Sequence, residues 1–387
     1  MELMQSRLAY RVFACVASFV LAGCGVKANQ SKISGQPTSA GLEKYSLTLI
    51  PQGTPPPGIP RAIHFTSQKQ GWAISGGSPS TVGYIGSSDN SGRSWLMYAF
   101  PGVTFSILNS SNGKSVTAIG SKKQSLFMAS TVNGGKSWEI TLDPHPPFAA
   151  PYLKKAFPYD NGWLILSSSG RLWLYNGNGW QAIATPKRAI VKTWAVHSSI
   201  IYAVLGQDRL ASTSNSGKTW HTLVDTHGSQ RITAFTTQGS NMWVLVQRAQ
   251  SNQTTNTLLF SSNSGKTFSQ LNTTVLPSTF VWNRIDMVNQ TDGWATGGSC
   301  NDVTGNCATT LYRTISGGRT WQRISLPPVR YRYPNPHLPP AHLTGFRPVA
   351  FFSSAAAMIS MGYLPPNGAS PTLFSTSDGG KKWIPIR

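Results

Sequence analysis

The sequence predicts an all-β chain folded as a seven-bladed β-propeller of four-stranded antiparallel blades. Three observations predict it. One octapeptide of turn-forming composition recurs along the chain, short strand-like runs fill the intervals, and a Gly-Trp pair recurs at the start of the second strand. The octapeptide reads Ser/Thr-x-Asp/Asn-x-Gly-basic-x-aromatic. It appears as SDNSGRSW (Ser88 to Trp95), TVNGGKSW (Thr131 to Trp138), TSNSGKTW (Thr213 to Trp220), SSNSGKTF (Ser261 to Phe268), TISGGRTW (Thr314 to Trp321) and TSDGGKKW (Thr376 to Trp383). A worn copy, NGNGW, ends at Trp180. The closing aromatics are spaced 43, 42, 40, 48, 53 and 62 residues apart, the interval of a repeat fold whose units bury their faces against each other.

Each position of the octapeptide has a turn's chemistry. The Asp or Asn at position three bonds nearby backbone N–H groups as in an Asx-turn. The Gly at position five takes φ > 0 without a Cβ clash. The final aromatic supplies apolar bulk between units. The basic residues at position six (Arg93, Lys136, Lys218, Lys266, Arg319 and Lys381) read as solvated turn charges.

Between the turns the chain parses into strands of four to seven residues bounded by Gly, Asn, Ser and Pro. The first repeat gives 62–65, 71–75, 81–87 and 95–100. The second gives 104–108, 115–119, 125–130 and 138–142. Later repeats give 162–166, 171–175, 191–196, 200–205, 209–212, 232–235, 242–246, 257–260, 284–288, 293–296, 309–313, 348–352, 357–361 and 372–375. Gly71-Trp72-Ala73, Gly162-Trp163-Leu164 and Gly293-Trp294-Ala295 open second strands. An extra run, Tyr45 to Pro51, resembles an outer strand and precedes any first strand. It is expected to complete the seventh blade and seal the ring.

Residues 1–23 read as a lipoprotein signal peptide. Arg7 and Arg11 precede an apolar run from Val12 to Val20, and Leu21-Ala22-Gly23-Cys24 follows as a lipobox, which makes Cys24 the lipidated residue. Residues 24–42 read as a lipid-anchored flexible linker and 43–387 as the propeller. The chain is then expected outside the cytoplasm, anchored to the outer side of the bacterial plasma membrane. The formal charge of +21 admits acidic proteins, anionic lipid or nucleic acid as partners, and export argues against the last. Cys300 and Cys307 flank a short polar loop and are expected to form a disulfide in an oxidising compartment.

With its Gly-Trp-Ala signature, the repeated octapeptide resembles the Asp-box, or BNR, repeat of sialidases, sortilin-type receptors and the photosystem II stability/assembly factor family. The likeness to the last is the strongest and spans essentially residues 43–387. It implies a propeller with the octapeptide between third and fourth strands, and a partner protein rather than a substrate.

Loops between blades, and between second and third strands, fall on one face of such a ring, and the octapeptides fall on the other. The loop face receives the Pro-rich stretches 51–61, 143–155 and 327–348, the Cys300–Cys307 loop, and the loops 248–255 and 365–371. Long Pro-stiffened loops on a rigid scaffold are where binding residues gather. The predicted partner surface is Arg330, Tyr331, Arg332, Tyr333, His337, His342 and Arg347, extended by Arg61, Lys154 and Lys155. It would take an acidic protein segment or an anionic glycan.

A sialidase-like or other glycoside hydrolase is the competing class. Most such enzymes need two carboxyl groups flanking the bond. Beyond the signal peptide the only Glu residues are Glu43 and Glu139, neither placed for a central pocket, and Asp160, Asp286, Asp292 and Asp302 remain as possible acids. The pair His337 and His342, separated by two Pro, lacks the further ligands zinc requires. Neither a metal nor a cofactor is expected.

Overall fold

The computed structural model describes residues 47–50, 62–75, 82–143, 145–148, 153–159, 162–176, 179–186, 189, 191–197, 199–250, 253–271, 282–298, 310–327, 329–331, 341–343, 346–361 and 372–386. Tyr45–Arg387 forms one compact unit. It is a seven-bladed β-propeller, and each blade is built from consecutive strands. Strand β1 (Leu47–Ile50) comes first. Blade 1 is then β2 (Ala62–Phe65), β3 (Gly71–Ser75), β4 (Val82–Ser88) and β5 (Trp95–Pro101). Blade 2 is β6 (Val103–Ser110), β7 (Val116–Lys122), β8 (Ser125–Thr131) and β9 (Glu139–Asp143). Blade 3 is β10 (Leu153–Tyr159), β11 (Gly162–Ser167), β12 (Leu172–Tyr175) and β13 (Trp180–Ile183). Blade 4 is β14 (Val191–His197), β15 (Ile200–Leu205), β16 (Arg209–Thr213) and β17 (His221–Asp225). Blade 5 is β18 (Arg231–Gln238), β19 (Asn241–Gln250), β20 (Gln253–Ser261) and β21 (Ser269–Leu271). Blade 6 is β22 (Trp282–Met287), β23 (Gly293–Gly297), β24 (Thr310–Thr314) and β25 (Gln322–Ile324). A separate hairpin, β26 (Val329–Tyr331) with β27 (Ala341–Leu343), precedes blade 7, which is β28 (Phe346–Phe351), β29 (Ala357–Met361), β30 (Thr372–Thr376) and β31 (Ile384–Ile386). First strands of neighbouring blades touch at β2–β6, β6–β10, β14–β18, β18–β22 and β28–β2, toward the centre of the ring.

The octapeptide is the recurring local structure, and its residue types explain it. In the copies ending at Trp95, Trp138, Trp220 and Phe268, the position-one hydroxyl accepts the N–H of the position-five Gly at 2.8–3.0 Å. The position-three Asn accepts the position-seven N–H through Oδ1 and donates Nδ2 to the position-seven hydroxyl. The last copy has Asp378, which accepts from Lys382 N–H and needs no hydroxyl there. In the copy ending at Trp321, Ser316 takes the Asn role and bonds both Thr320 N–H and its hydroxyl. Positions four and five both lie in the left-handed region, for example Ser216 at φ 55° and Gly217 at 83°. The position-four N–H then bonds the turn between first and second strands of the same blade: Ser91 to Lys69, Gly134 to Lys114, Ser264 to Ser240, Gly317 to Thr291 and Gly379 to Ala355. Both kinds of turn therefore share one face.

The octapeptide also packs against the preceding blade. A Cβ on Gly135 would lie 2.1 Å from Tyr98 Oη, one on Gly217 2.5 Å from Ile183, and one on Gly380 2.3 Å from Ile324, each an outer-strand residue one blade back. Trp220 donates its indole N–H to Ala184 O at 2.7 Å and Trp383 to Ser325 O at 3.0 Å, again across the junction. Trp138 packs edge-on to Tyr98 and Phe100. Burial is not uniform, however. Trp95 is fully buried and bonds Gly92 of its own turn, whereas Trp220 is only half-buried.

Three expectations are corrected. The N-terminal strand does not complete blade 7. β1 pairs with β5 and becomes a fifth, outermost strand of blade 1, with Ile50 opposite Trp95. The outer slot of blade 7 is already filled by its own β31, where Pro385 lies at the sheet edge, the position a residue without an N–H tolerates. The ring is sealed by side chains: Phe65, Trp95 and Met97 of blade 1 pack with Met358, Leu373 and Ile386 of blade 7. Second, 248–250 and 253–255 are strand rather than loop; β19 and β20 continue pairing through Gln250 and Gln253. Third, Lys154 and Lys155 lie not on a loop but within β10, an inner strand whose Pro158 disguised it in the sequence.

In blades 2 to 7 the inner strand slips register by one residue where it pairs with the second strand, at 105/107, 153/155, 191/193, 232/234, 282/284 and 348/350. Such bulges bend the strand and re-aim the following side chains.

Candidate functional site

The centre of the ring carries a polar site built from inner-strand residues. Lys155 and Arg284 occupy equivalent places on β10 and β22, each the first residue past its bulge. Arg284 donates Nε to Asp286 Oδ2 at 2.5 Å, and its guanidinium lies 5.8 Å from the Phe351 ring centroid. Past the bulge the strand alternates regularly, so Arg284 and Asp286 share one side of β22. On β2, His64 Nδ1 meets Ser110 Oγ of the next blade at 2.6 Å. Gln238 Nε2 donates to Met287 O.

A cavity of about 350 Å³ is lined by His64, Phe65, Gln238, Arg284, Asp286 and Phe351, with neighbouring residues of β22 and β28. Most of these sit toward the C-terminal ends of inner strands, so the cavity lies at the octapeptide end of the channel. Lys155 and Arg284 both lie nearer the starts of their strands, so the two charges stand at one level, on the loop-face side of the cavity.

The electrostatics follow from enclosure. Water in the channel reaches Lys155, but the surrounding strands strip much of its hydration. That desolvation lowers its ammonium pKa, Arg284 lowers it further, and Asp286 acts the other way. Burial lowers the pKa of His64 and the Arg284 charge lowers it further, which favours the neutral imidazole. Among the described residues, Lys155 and Arg284 with Asp286 give this part of the channel a net positive charge, which suits an anionic group.

The residues expected to form the partner surface are only partly described. Arg330 stands opposite His342 and Tyr331 opposite Ala341 in the β26–β27 hairpin, which brings those two predicted residues together. Arg347 is on the inner strand β28, opposite Ser360. Lys154 is on β10 at its bulge. Arg61, Arg332, Tyr333 and His337 lie outside the described residues, as do Cys24, Cys300 and Cys307. Of the possible acids, Asp160 and Asp302 also lie outside them. Asp292 caps a turn: burial raises its pKa, but hydrogen bonds from Ser354, Asn289 and Thr291 and the Arg313 charge outweigh burial and hold it low. Glu139 is exposed on the outer strand β9. Among the described residues no cluster of His, Cys, Asp and Glu is arranged to hold a metal ion, and no helix is long and apolar enough to cross a membrane.

Comparison with known proteins follows from this geometry. The fold resembles the YCF48 propeller. YCF48 from Cyanidioschyzon merolae superposes with a TM-score of 0.51 at 16% identity, covering 87% of this chain and 99% of that one. A structure of YCF48 bound to a D1 peptide gives 0.49 at 15% identity, covering 86% and 94%. The GH74 xyloglucanase from Xanthomonas campestris gives 0.47 at 11% identity, covering 88% and 69%. No family model and no curated protein sequence matches the chain. At these identities the likeness is one of fold, and a fold hosts many functions.

Proposed function

We propose that the chain is an exported, lipid-anchored binding propeller without catalytic activity, which captures an acidic segment of a partner protein at the centre of its ring. The observation that carries this reading is that Lys155 and Arg284, on inner strands of blades 3 and 6, feel each other's charge, with Asp286 engaged by Arg284. A ligand carboxylate would compete with Asp286 for the guanidinium, a bidentate exchange that Arg suits better than Lys. Hydrolysis of a glycosidic bond asks for a second free carboxyl group beside the first. Asp286 is paired, Asp292 caps a turn and Glu139 is on the rim, so the described acids favour binding. The loop-face residues Arg330, Tyr331, His342 and Arg347, with Arg61, Arg332, Tyr333 and His337, are proposed as the approach to the channel. A glycan bearing carboxylates is the second ligand class for the same charges. Cys24 is proposed as the anchor, and Cys300 with Cys307 as a disulfide.

The test is capture of the native partner from detergent-solubilised membranes. Lys155→Glu with Arg284→Glu should abolish capture, and Arg330→Glu with Arg332→Glu and Arg347→Glu should weaken it. Charge reversal at Lys136, Lys218 and Lys266 should leave it intact. Retention of the partner by the channel double variant would refute the assignment.

A further inference from the structure

The octapeptide face has an organisation the channel does not use. Because each copy closes with the same pair of left-handed residues, its sixth residue leaves each turn in the same way. Arg93, Lys136, Lys218, Lys266, Arg319 and Lys381 are all exposed and recur blade by blade around this face. Lys69 and Lys114 join them, since their carbonyls accept the position-four N–H of Ser91 and Gly134. Against these stand Asp89, Asp292 and Asp378, the last two held by hydrogen bonds within their own turns.

Two further features lie on this face. Val132 and Ile315, at position two of their octapeptides, are 78% and 61% exposed, the most exposed large apolar side chains among the described residues. Beside the copy that contains Ile315 is a cleft of about 210 Å³ lined by Arg313, Ile315, Thr320, Trp321 and Gln322. Arg313 lends that cleft a positive charge; its Nε is buried without a hydrogen-bond partner, and the charge also reaches Asp292.

We propose that this face docks on an anionic phospholipid surface. The ring of cations meets the headgroup charge, Arg313 takes a lipid phosphate in the cleft, and Val132 and Ile315 enter the interfacial region. Cations alone would suit any polyanion. The exposed aliphatics among them select a membrane, where apolar burial and headgroup attraction act together. The proposal rests on neither the channel site nor the acyl anchor.

The test uses the chain from residue 45, which comprises the whole compact unit and carries no acyl group. It should co-float with vesicles of phosphatidylcholine and phosphatidylglycerol, not with phosphatidylcholine alone, and rising salt should release it. Lys136→Glu with Lys218→Glu and Lys266→Glu should lower the partition coefficient by at least about tenfold. Val132→Ser with Ile315→Ser should lower it about threefold or more while leaving the salt dependence unchanged, since the charges remain. Arg313→Gln should weaken binding with the melting curve retained. Equal binding to neutral vesicles, or no response to Val132→Ser with Ile315→Ser, would overturn the proposal; the latter would reassign the ring to soluble polyanions.

Discussion

Trp95 and Trp220 close equivalent turns, yet the structure assigns them different weights. Trp95 is fully buried, lies 5.9 Å edge-on from Phe65, bonds Gly92 O at 3.0 Å and belongs to the packing between blades 1 and 7. Burial of roughly 150–250 Å² at about 25 cal/mol/Å² gives about 4–6 kcal/mol as an upper figure. Truncations of buried Trp, cavity included, fall at about 3–5 kcal/mol, and Trp95→Ala is expected in that range. Trp220 is half-buried and spends its indole N–H on Ala184 O. Trp220→Ala loses part of an apolar contact and one hydrogen bond, about 1–2.5 kcal/mol. Urea unfolding followed by fluorescence, with both variants referred to the same m-value, measures the difference. Equal losses, or a loss under about 1 kcal/mol for Trp95→Ala, would refute the view that depth of burial at the blade junction sets the value of each aromatic.

Other predictions follow from the same geometry. Gly217→Ala puts a Cβ 2.5 Å from Ile183 at φ 83°, and should cost about 2 kcal/mol or more, against about 1 kcal/mol for Gly228→Ala, which is also left-handed but has open space around it; chemical denaturation of the two separates clash from strain. Ser216→Gly, at φ 55°, should stabilise by about 0.5–1 kcal/mol in the same assay. His64 has a folded-state pKa below its ordinary 6.5, so the unfolded chain binds more protons. Stability should therefore fall as pH drops through 6.5 toward the folded pKa, and His64→Asn should flatten that slope in melts taken across this interval.

The fold was legible because the repeat is chemical as well as periodic. Each octapeptide position has one physical task, so the letters recur even where the intervals drift from 40 to 62 residues. β10 was missed because Pro158 and the charged pair Lys154-Lys155 do not read as an inner strand. The position of β1 was misjudged because β31 and β1 are equally good outer strands in composition, and only pairing geometry separates them. The sequence offers Asp286 as a possible acid, but nothing in it links Arg284, His64 and Gln238 to that residue. An Arg-x-Asp spacing does place both side chains on one side of a strand. The bulge before Arg284, however, breaks the alternation that would tell channel from junction, and a bulge leaves no mark in residue type.

The way the ring closes has a consequence for how it is made. Among the described residues no strand crosses from the last blade to the first; every blade is a run of successive strands, and β1 merely adds to the first. A chain emerging from its N-terminus can therefore complete blade 1 before blade 2 exists, and so on to blade 7, with mostly local pairing and little loop-closure entropy at each step. Until Met358, Leu373 and Ile386 arrive, Phe65 and Met97 lack their cover from blade 7, so the growing arc carries a sticky end from its first blade to its last. Assembly is gradual, but protection of that end comes in one final event, and a chain halted before blade 7 would present to its neighbours the apolar edge that the finished ring hides from them.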